Sequence, residues 1–170
     1  EAGQLPVDIV CVVSSRADAF GIERARKRGV PTALVKRKKH KDVATFSTLI
    51  FDAIRPYKPE LVCLAGFMSL LRIPKEYEGR LMNIHPALLP AFGGKGCYGH
   101  HVHEAVLEHG CKLTGCTAHF VDNQYDHGPI ILQKAVEVRE DDTPDTLAER
   151  VQAAEREVFP EAIRLFAAGR

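Results

Sequence analysis

Apolar and polar positions follow two alternating spacings along the first half of the chain. Short, almost continuous apolar runs are typical of strands covered on both faces of a parallel sheet. Between them, apolar residues recur at helical spacing. The runs predict strands at 8–15, 31–36, 61–66 and 80–85, and the helical spacing predicts helices at 17–28 and 45–57. This alternation of strand and helix predicts an α/β fold with a doubly wound, mostly parallel sheet.

The pattern changes in the second half of the chain. After a short helix near 101–109, two β-rich runs at 112–121 and 129–138 flank the polar turn DNQYDHG. This arrangement predicts an antiparallel hairpin at the edge of the sheet. Thr143 followed by Pro144 is typical of a helix cap and first turn, which predicts a long terminal helix over about 145–166. With 170 residues, 45% of them hydrophobic, the chain is expected to form one globular domain.

Composition narrows the class of protein. The formal net charge of +1 gives no general attraction for nucleic acid, and the basic run at 36–41 is more typical of a solvated loop than of a binding patch. There is no membrane-spanning run and no signal-peptide character. The five cysteines are odd in number and form no CxxC pair, which indicates a reduced, cytoplasmic protein. His100, His101 and His103 lack the accompanying ligands that a metal site requires, so a metal is only weakly indicated.

Candidate chemistry lies in the segment NIHPALLP at 83–90. Residues two apart in a strand point to the same face, so Asn83 and His85 should emerge together. They lie at the carboxyl end of a strand, where open α/β sheets build their sites. The glycine-rich stretch GGKGCYG at 93–99 lacks the spacing of a phosphate-binding loop and could equally be a flexible connection.

Three segments read together resemble a known family: GFMSLL at 66–71, NIHPALLPAF at 83–92 and HFVDNQYDHGPIILQ at 119–133. They are similar to the folate-dependent phosphoribosylglycinamide formyltransferases of purine biosynthesis. The resemblance also covers 17–31 and 149–160, and extends from about Asp8 to the end of the chain. It implies transfer of a formyl group from 10-formyltetrahydrofolate to the amine of glycinamide ribonucleotide, with no metal. A monomer or homodimer is expected, acting on small molecules, with no nucleic acid or membrane partner.

The resemblance also implies roles for particular residues. The catalytic group corresponds to Asn83, His85 and Asp126. The segments that cradle the folate correspond to Met68, Ser69, Leu70, Leu71, Asn83, Asp122, Asn123, Gln124, Tyr125 and Asp126. The stretch that contacts the ribonucleotide corresponds to Gln152, Ala153, Ala154 and Glu155. Core packing is the simpler explanation for Leu70 and Leu71, and a solvated helix position for Glu155.

These residue types suit formyl transfer. Attack of an amine on the formyl carbon places negative charge on the formyl oxygen, which an amide N–H of Asn83 and an imidazolium at His85 could stabilise. The Asp126 carboxylate would orient the ring and favour its charged form. His85, or a water held by Asp126, could carry the proton from the attacking amine to the departing folate nitrogen.

Three alternatives stay open. Formyltetrahydrofolate deformylases pass the formyl group to water, but their motif resembles NIHH where this chain has NIHP. Methionyl-tRNA formyltransferases carry a basic C-terminal domain and an arginine-rich turn after the histidine, and this chain shows neither. A non-catalytic folate-binding remnant is the third alternative.

The chain departs from the family pattern in two places. The family begins with a strand and a glycine-rich phosphate-binding loop that have no counterpart here, so we expect an N-terminally incomplete domain with weakened ribonucleotide binding. In a sheet of order 3-2-1-4 the absent strand would be central, and 8–15 and 61–66 should then lie about 10 Å apart, or two strand spacings. The loop after Pro90 is also longer than in many relatives, and its Lys95 is a candidate anion contact.

Overall fold

The computed structural model describes residues 5–169, in which strands and helices alternate in the predicted order. The strands are β1 (Val12–Ser14), β2 (Thr32–Leu34), β3 (Val62–Leu64), β4 (Leu81–His85), β5 (Leu113–Phe120) and β6 (Ile130–Glu137). The helices are α1 (Phe20–Lys27), α2 (Val43–Ile54), α3 (His100–Glu108) and α4 (Pro144–Ala167). The predicted α/β class is therefore confirmed.

The strands form two hydrogen-bonded groups. β1 pairs with β2 in parallel, and the second group has the order β3-β4-β5-β6. Within it β3 and β4 are parallel, whereas β5 runs antiparallel to both β4 and β6. The register places Asn83 opposite His119 and His85 opposite Thr117, so the end of β4 is flanked by polar side chains of β5.

The strand predicted at 8–15 is shorter in the structure. Only Val12–Ser14 form a strand, and Val7, Ile9 and Val10 are exposed, with Ile9 at 68%. β1 has a hydrogen-bonded neighbour in β2, and no other strand among residues 5–169 pairs with it. The prediction that both faces of this run are covered is wrong for 8–10, which lie outside β1 and are exposed.

Two apolar clusters lie on the two sides of β4. Met82 points into a cluster with Val106 of α3, Cys116 of β5 and Val151 of α4. Leu81 points into the other cluster, which α2 fills with side chains that include Phe46, Ile50 and Phe51. Successive strand residues alternate between faces, so the first residues of β4 are buried on both sides of the sheet.

The long terminal helix begins as the sequence predicts. The Thr143 side chain accepts a hydrogen bond from the Thr146 amide, and Pro144 occupies the first turn. The buried Asp142 carboxylate, just before the cap, accepts hydrogen bonds from Arg150 at 2.7 and 2.8 Å, and this pairing lowers the pKa of Asp142. No helix within residues 5–169 has both the length and the apolar character needed to cross a membrane.

Candidate active site at the carboxyl end of β4

The end of β4 and the turn between β5 and β6 bring the three predicted catalytic residues together. His85 is 3% exposed, and its Nδ1 lies 3.5 Å from Oδ1 of Asp126, whose side chain is 12% exposed. Asn83 connects to the same carboxylate through His119, a residue that the sequence analysis did not select. A chain of polar contacts therefore runs from Asn83 through His119 and Asp126 to His85.

His119 is the central member of this chain. It is 1% exposed, its Nδ1 is 2.8 Å from the carbonyl oxygen of Phe120, and its Nε2 is 3.1 Å from Nδ2 of Asn83 and 3.8 Å from Oδ1 of Asp126. Burial lowers the pKa of His119, which favours the neutral ring. With the proton on Nδ1, Nε2 accepts a hydrogen bond from the Asn83 amide. The second N–H of that amide is left available to a ligand.

Residues 92–94, at the start of the glycine-rich stretch, lie on the other side of the site. Nε2 of His85 donates to the carbonyl oxygen of Phe92 at 2.9 Å, and the Gly94 amide donates to Oδ2 of Asp126 at 3.0 Å. His85 was expected to face the developing oxyanion directly. In the structure its Nε2 is bonded to the Phe92 carbonyl oxygen and its Nδ1 faces Oδ1 of Asp126.

The two segments predicted to cradle the folate lie side by side. The Leu70 amide donates to the Tyr125 hydroxyl at 3.2 Å, and the Ile73 amide donates to Oδ1 of Asn123 at 2.9 Å. Leu70, Arg72, Ile73 and Asn123 line an open cleft of about 520 Å³. Asp122 shapes the turn, because its carboxylate accepts hydrogen bonds from the Gln124 amide and from His127, each through a different oxygen.

Within the first of these segments the residues differ in exposure. Met68 is exposed, whereas Ser69 and Leu70 are half-buried. Leu71 is buried in the cluster beneath α2, so its side chain belongs to the core. Any contact that Leu71 makes with a ligand must therefore use its backbone.

The stretch predicted to contact the ribonucleotide lies on α4. Gln152 and Ala153 are exposed, but Ala154 is buried in the core, so its side chain cannot reach a substrate. Glu155 is half-buried, and burial raises its pKa. It lies close enough to Cys116 of β5 that its charge adds to burial in raising the pKa of Cys116 to about 11. Glu155 is therefore the member of this stretch with an unusual environment.

Lys95 is exposed in the glycine-rich stretch. Within the described part of the chain, no group of three or more His, Cys, Asp or Glu side chains is arranged to hold a metal ion.

His119, Phe92 and Gly94 were not predicted as site residues. His119 could have been noticed, because a histidine within an apolar strand run is unusual, but its proximity to Asn83 depends on the pairing of β4 with β5. Phe92 and Gly94 act through backbone atoms, and the side-chain pattern carries no signal for such contacts.

Comparison with known proteins shows the family of the chain. Residues 1–163 match the family model described as formyl transferase. The chain belongs to the formyl transferase family.

Individual relatives carry more specific names. The chain is 44% identical over 163 residues to the trifunctional purine biosynthetic protein adenosine-3 of Bos taurus, and 42% identical over 165 residues to the chloroplastic phosphoribosylglycinamide formyltransferase of Arabidopsis thaliana. Each comparison covers 95% of this chain. The chain spans only 16% of the length of the first protein and 56% of the second.

Solved structures show the same likeness. The glycinamide ribonucleotide transformylase 1 of Symbiobacterium toebii is 45% identical with a TM-score of 0.90, and the match covers 99% of this chain and 78% of that one. The phosphoribosylglycinamide formyltransferase of Brucella melitensis is 43% identical with a TM-score of 0.85, over 98% of this chain and 84% of that one.

Proposed function

We propose that the protein transfers a formyl group from 10-formyltetrahydrofolate to the amine of glycinamide ribonucleotide, a step of purine biosynthesis. The observation that carries this proposal is the polar chain Asn83–His119–Asp126–His85 at the carboxyl end of β4. The family and the names of its relatives support the same reaction.

Asn83 supplies the oxyanion contact in this reaction. The attacking amine turns the formyl carbon tetrahedral and places negative charge on its oxygen. The amide N–H that His119 leaves free can donate to that oxygen. His119 fixes the amide orientation in advance, so the donor needs no reorganisation during the reaction.

Asp126 accepts the proton. The attacking amine must lose a proton as the new C–N bond forms, and the departing folate nitrogen must gain one as the old bond breaks. Asp126 is a carboxylate with part of its side chain exposed, and it can take the proton directly or through a water. His85 acts through Asp126, because both of its ring nitrogens face groups of the protein.

The adjoining segments 68–71 and 122–126 would hold the folate. The cleft beside them supports this assignment, as do the hydrogen bonds that join the two segments. Glu155 is proposed to bind the ammonium or a ribose hydroxyl of the ribonucleotide. Its half-buried carboxyl near β5 supports that role.

We also propose that the complete domain contains a further strand between β1 and β3. The separate hydrogen bonding of these two strands supports it, together with the exposed apolar side chains of Val7, Ile9 and Val10. A parallel strand at this position would hydrogen-bond to the facing edges of β1 and β3. It would also bring the loop that binds the substrate phosphate.

The unpaired state of all five cysteines supports a compartment with reduced thiols, for which we propose the cytoplasm.

A formyl-transfer assay tests the function. The 170-residue chain and a chain extended upstream by a strand and glycine-rich loop are each incubated with both substrates, and formylated ribonucleotide is measured by mass spectrometry. We expect product from the extended chain and a higher KM for ribonucleotide in the shorter one. Absence of product from both chains would overturn the proposal. Release of formate without the ribonucleotide would instead identify a deformylase.

A further inference from the structure

The segment 92–94, which leads into the glycine-rich stretch, contacts two members of the candidate site, His85 and Asp126. We propose that Phe92 and Gly94 are positioning residues, whose backbone groups hold His85 and Asp126 in the arrangement that proton transfer requires. This inference rests on the proposed function and deepens it, since it assigns the alignment of the site to a loop outside the predicted catalytic residues.

The two contacts fix the two partners separately. The Phe92 carbonyl accepts from Nε2 of His85 at 2.9 Å, which requires a proton on Nε2 and leaves Nδ1 facing the carboxylate. The Gly94 amide donates to Oδ2 of Asp126 at 3.0 Å, which leaves Oδ1 facing the two histidines. Rotation of either group would break one of these hydrogen bonds.

Close packing holds the loop against the site. A β-carbon on Gly93 would lie 2.6 Å from Cδ2 of Leu89 and 3.3 Å from Cβ of Asp126, so the backbone packs against the Leu89 side chain and lies close to the aspartate. Phe92 has a φ of +53°, which residues with a side chain rarely adopt. Its ring contacts His109 edge to face, with centroids 5.4 Å apart.

The opposite side of the loop is also tied down. The Leu89 amide donates to the Thr117 hydroxyl and the Leu89 carbonyl accepts from the Gln133 amide, each at 3.0 Å. Residues 89–94 are therefore attached to β5 and β6 at one end and to His85 and Asp126 at the other. The loop therefore fixes the position of the Asp126 carboxylate relative to the sheet.

Two glycines of the loop form a matched pair for testing this proposal. Gly94 and Gly96 have φ values of +98° and +94°, and a β-carbon at either position would meet nothing within 4 Å. Gly94→Ala and Gly96→Ala therefore impose the same backbone strain without a clash. Only Gly94 is bonded to Asp126.

Steady-state kinetics and NMR on both variants provide the test, in the extended chain if that is the active form. We expect Gly94→Ala to lower kcat about tenfold or more, with KM for both substrates within about twofold, because alignment affects the reacting state more than binding. Gly96→Ala should stay within about twofold of the parent in both constants. The ring-nitrogen resonances of His85 should move in Gly94→Ala and stay in place in Gly96→Ala.

Two results would overturn the proposal. Equal losses in both variants would show that general strain in the loop is responsible, and unchanged kcat and His85 resonances in Gly94→Ala would show that its amide positions nothing. If the parent enzyme makes no formylated product, the proposed function fails. In that case the NMR resonances of His85 in the two variants still test whether the loop positions His85 and Asp126.

Discussion

Asp126 combines a carboxylate with an unusual backbone conformation. Its φ of +51° lies in the left-handed region, which aspartate and asparagine tolerate better than most other residues. The turn therefore needs a residue of this shape at position 126, and the proposed chemistry needs its charge. These two requirements can be separated, because asparagine satisfies only the first.

Asp126→Asn should keep the fold and remove the proton acceptor. We expect kcat to fall at least about 100-fold, the range typical of a lost general base, while the free energy of unfolding changes by less than about 1 kcal/mol. Rates of formyl transfer and urea denaturation provide the two measurements. Asp126→Ala is the comparison, since it should lose activity and also stability because alanine adopts positive φ poorly. An active Asp126→Asn enzyme would remove Asp126 from the mechanism.

β5 carries two buried threonines, of which one is hydrogen-bonded through its hydroxyl and the other is not. The Thr117 hydroxyl donates to the Ala87 carbonyl at 2.6 Å and accepts from the Leu89 amide at 3.0 Å, so it fastens the loop that follows β4. The Thr114 hydroxyl has no hydrogen-bond partner among residues 5–169. The Thr117 hydroxyl therefore fixes the loop beside the site. The Thr114 hydroxyl is buried without a hydrogen bond, which costs free energy of folding.

Replacing each threonine with valine compares these two hydroxyls. Thr117→Val should destabilise the protein by about 1–3 kcal/mol, because it leaves buried backbone groups of the loop without a partner. Thr114→Val should be neutral or stabilising by up to about 1 kcal/mol, because it removes an unpaired polar group. Chemical denaturation of both variants measures the difference. If the two lose equal stability, the hydrogen bonds of Thr117 are not what stabilises this loop.

At the scale of the whole molecule, buried histidines make stability depend on pH. Burial lowers the pKa of both His103 and His119 in the folded protein, whereas in the unfolded chain they titrate normally near pH 6.5. Below that pH the unfolded state binds more protons than the folded state, so stability is full above it and falls as the solution becomes acidic. Each histidine contributes at most about 1.4 kcal/mol per pH unit.

The melting temperature should therefore fall between pH 7.5 and pH 5.5, as measured by calorimetry at constant ionic strength. Glu155 acts in the opposite direction, since burial raises its pKa and favours the folded state at acidic pH. His103→Gln isolates the histidine contribution, because it removes one titrating group on α3 and should make the decline with pH shallower. A decline as steep as that of the parent would show that His103 does not contribute.

Local patterns in the sequence determined the order of the elements, the cap of α4 and the shared face of Asn83 and His85. Each of these depends on residues a few positions apart, whose spacing alone sets the helical or extended backbone. The role of Asp126 came from resemblance to a family, because its turn is 36 residues beyond Pro90 and no local pattern links it to β4.

Only the tertiary structure decided which residues surround that carboxylate. Pairing of β4 with β5 sets His119 beside Asn83, and closure of the loop brings the Phe92 carbonyl and Gly94 amide to His85 and Asp126. Packing likewise placed Leu71 in the core and left Ile9 and Val10, at the start of the run 8–15, exposed. Such contacts join residues far apart in the chain, often through backbone atoms that are the same in every residue. They therefore exist only once the elements have packed.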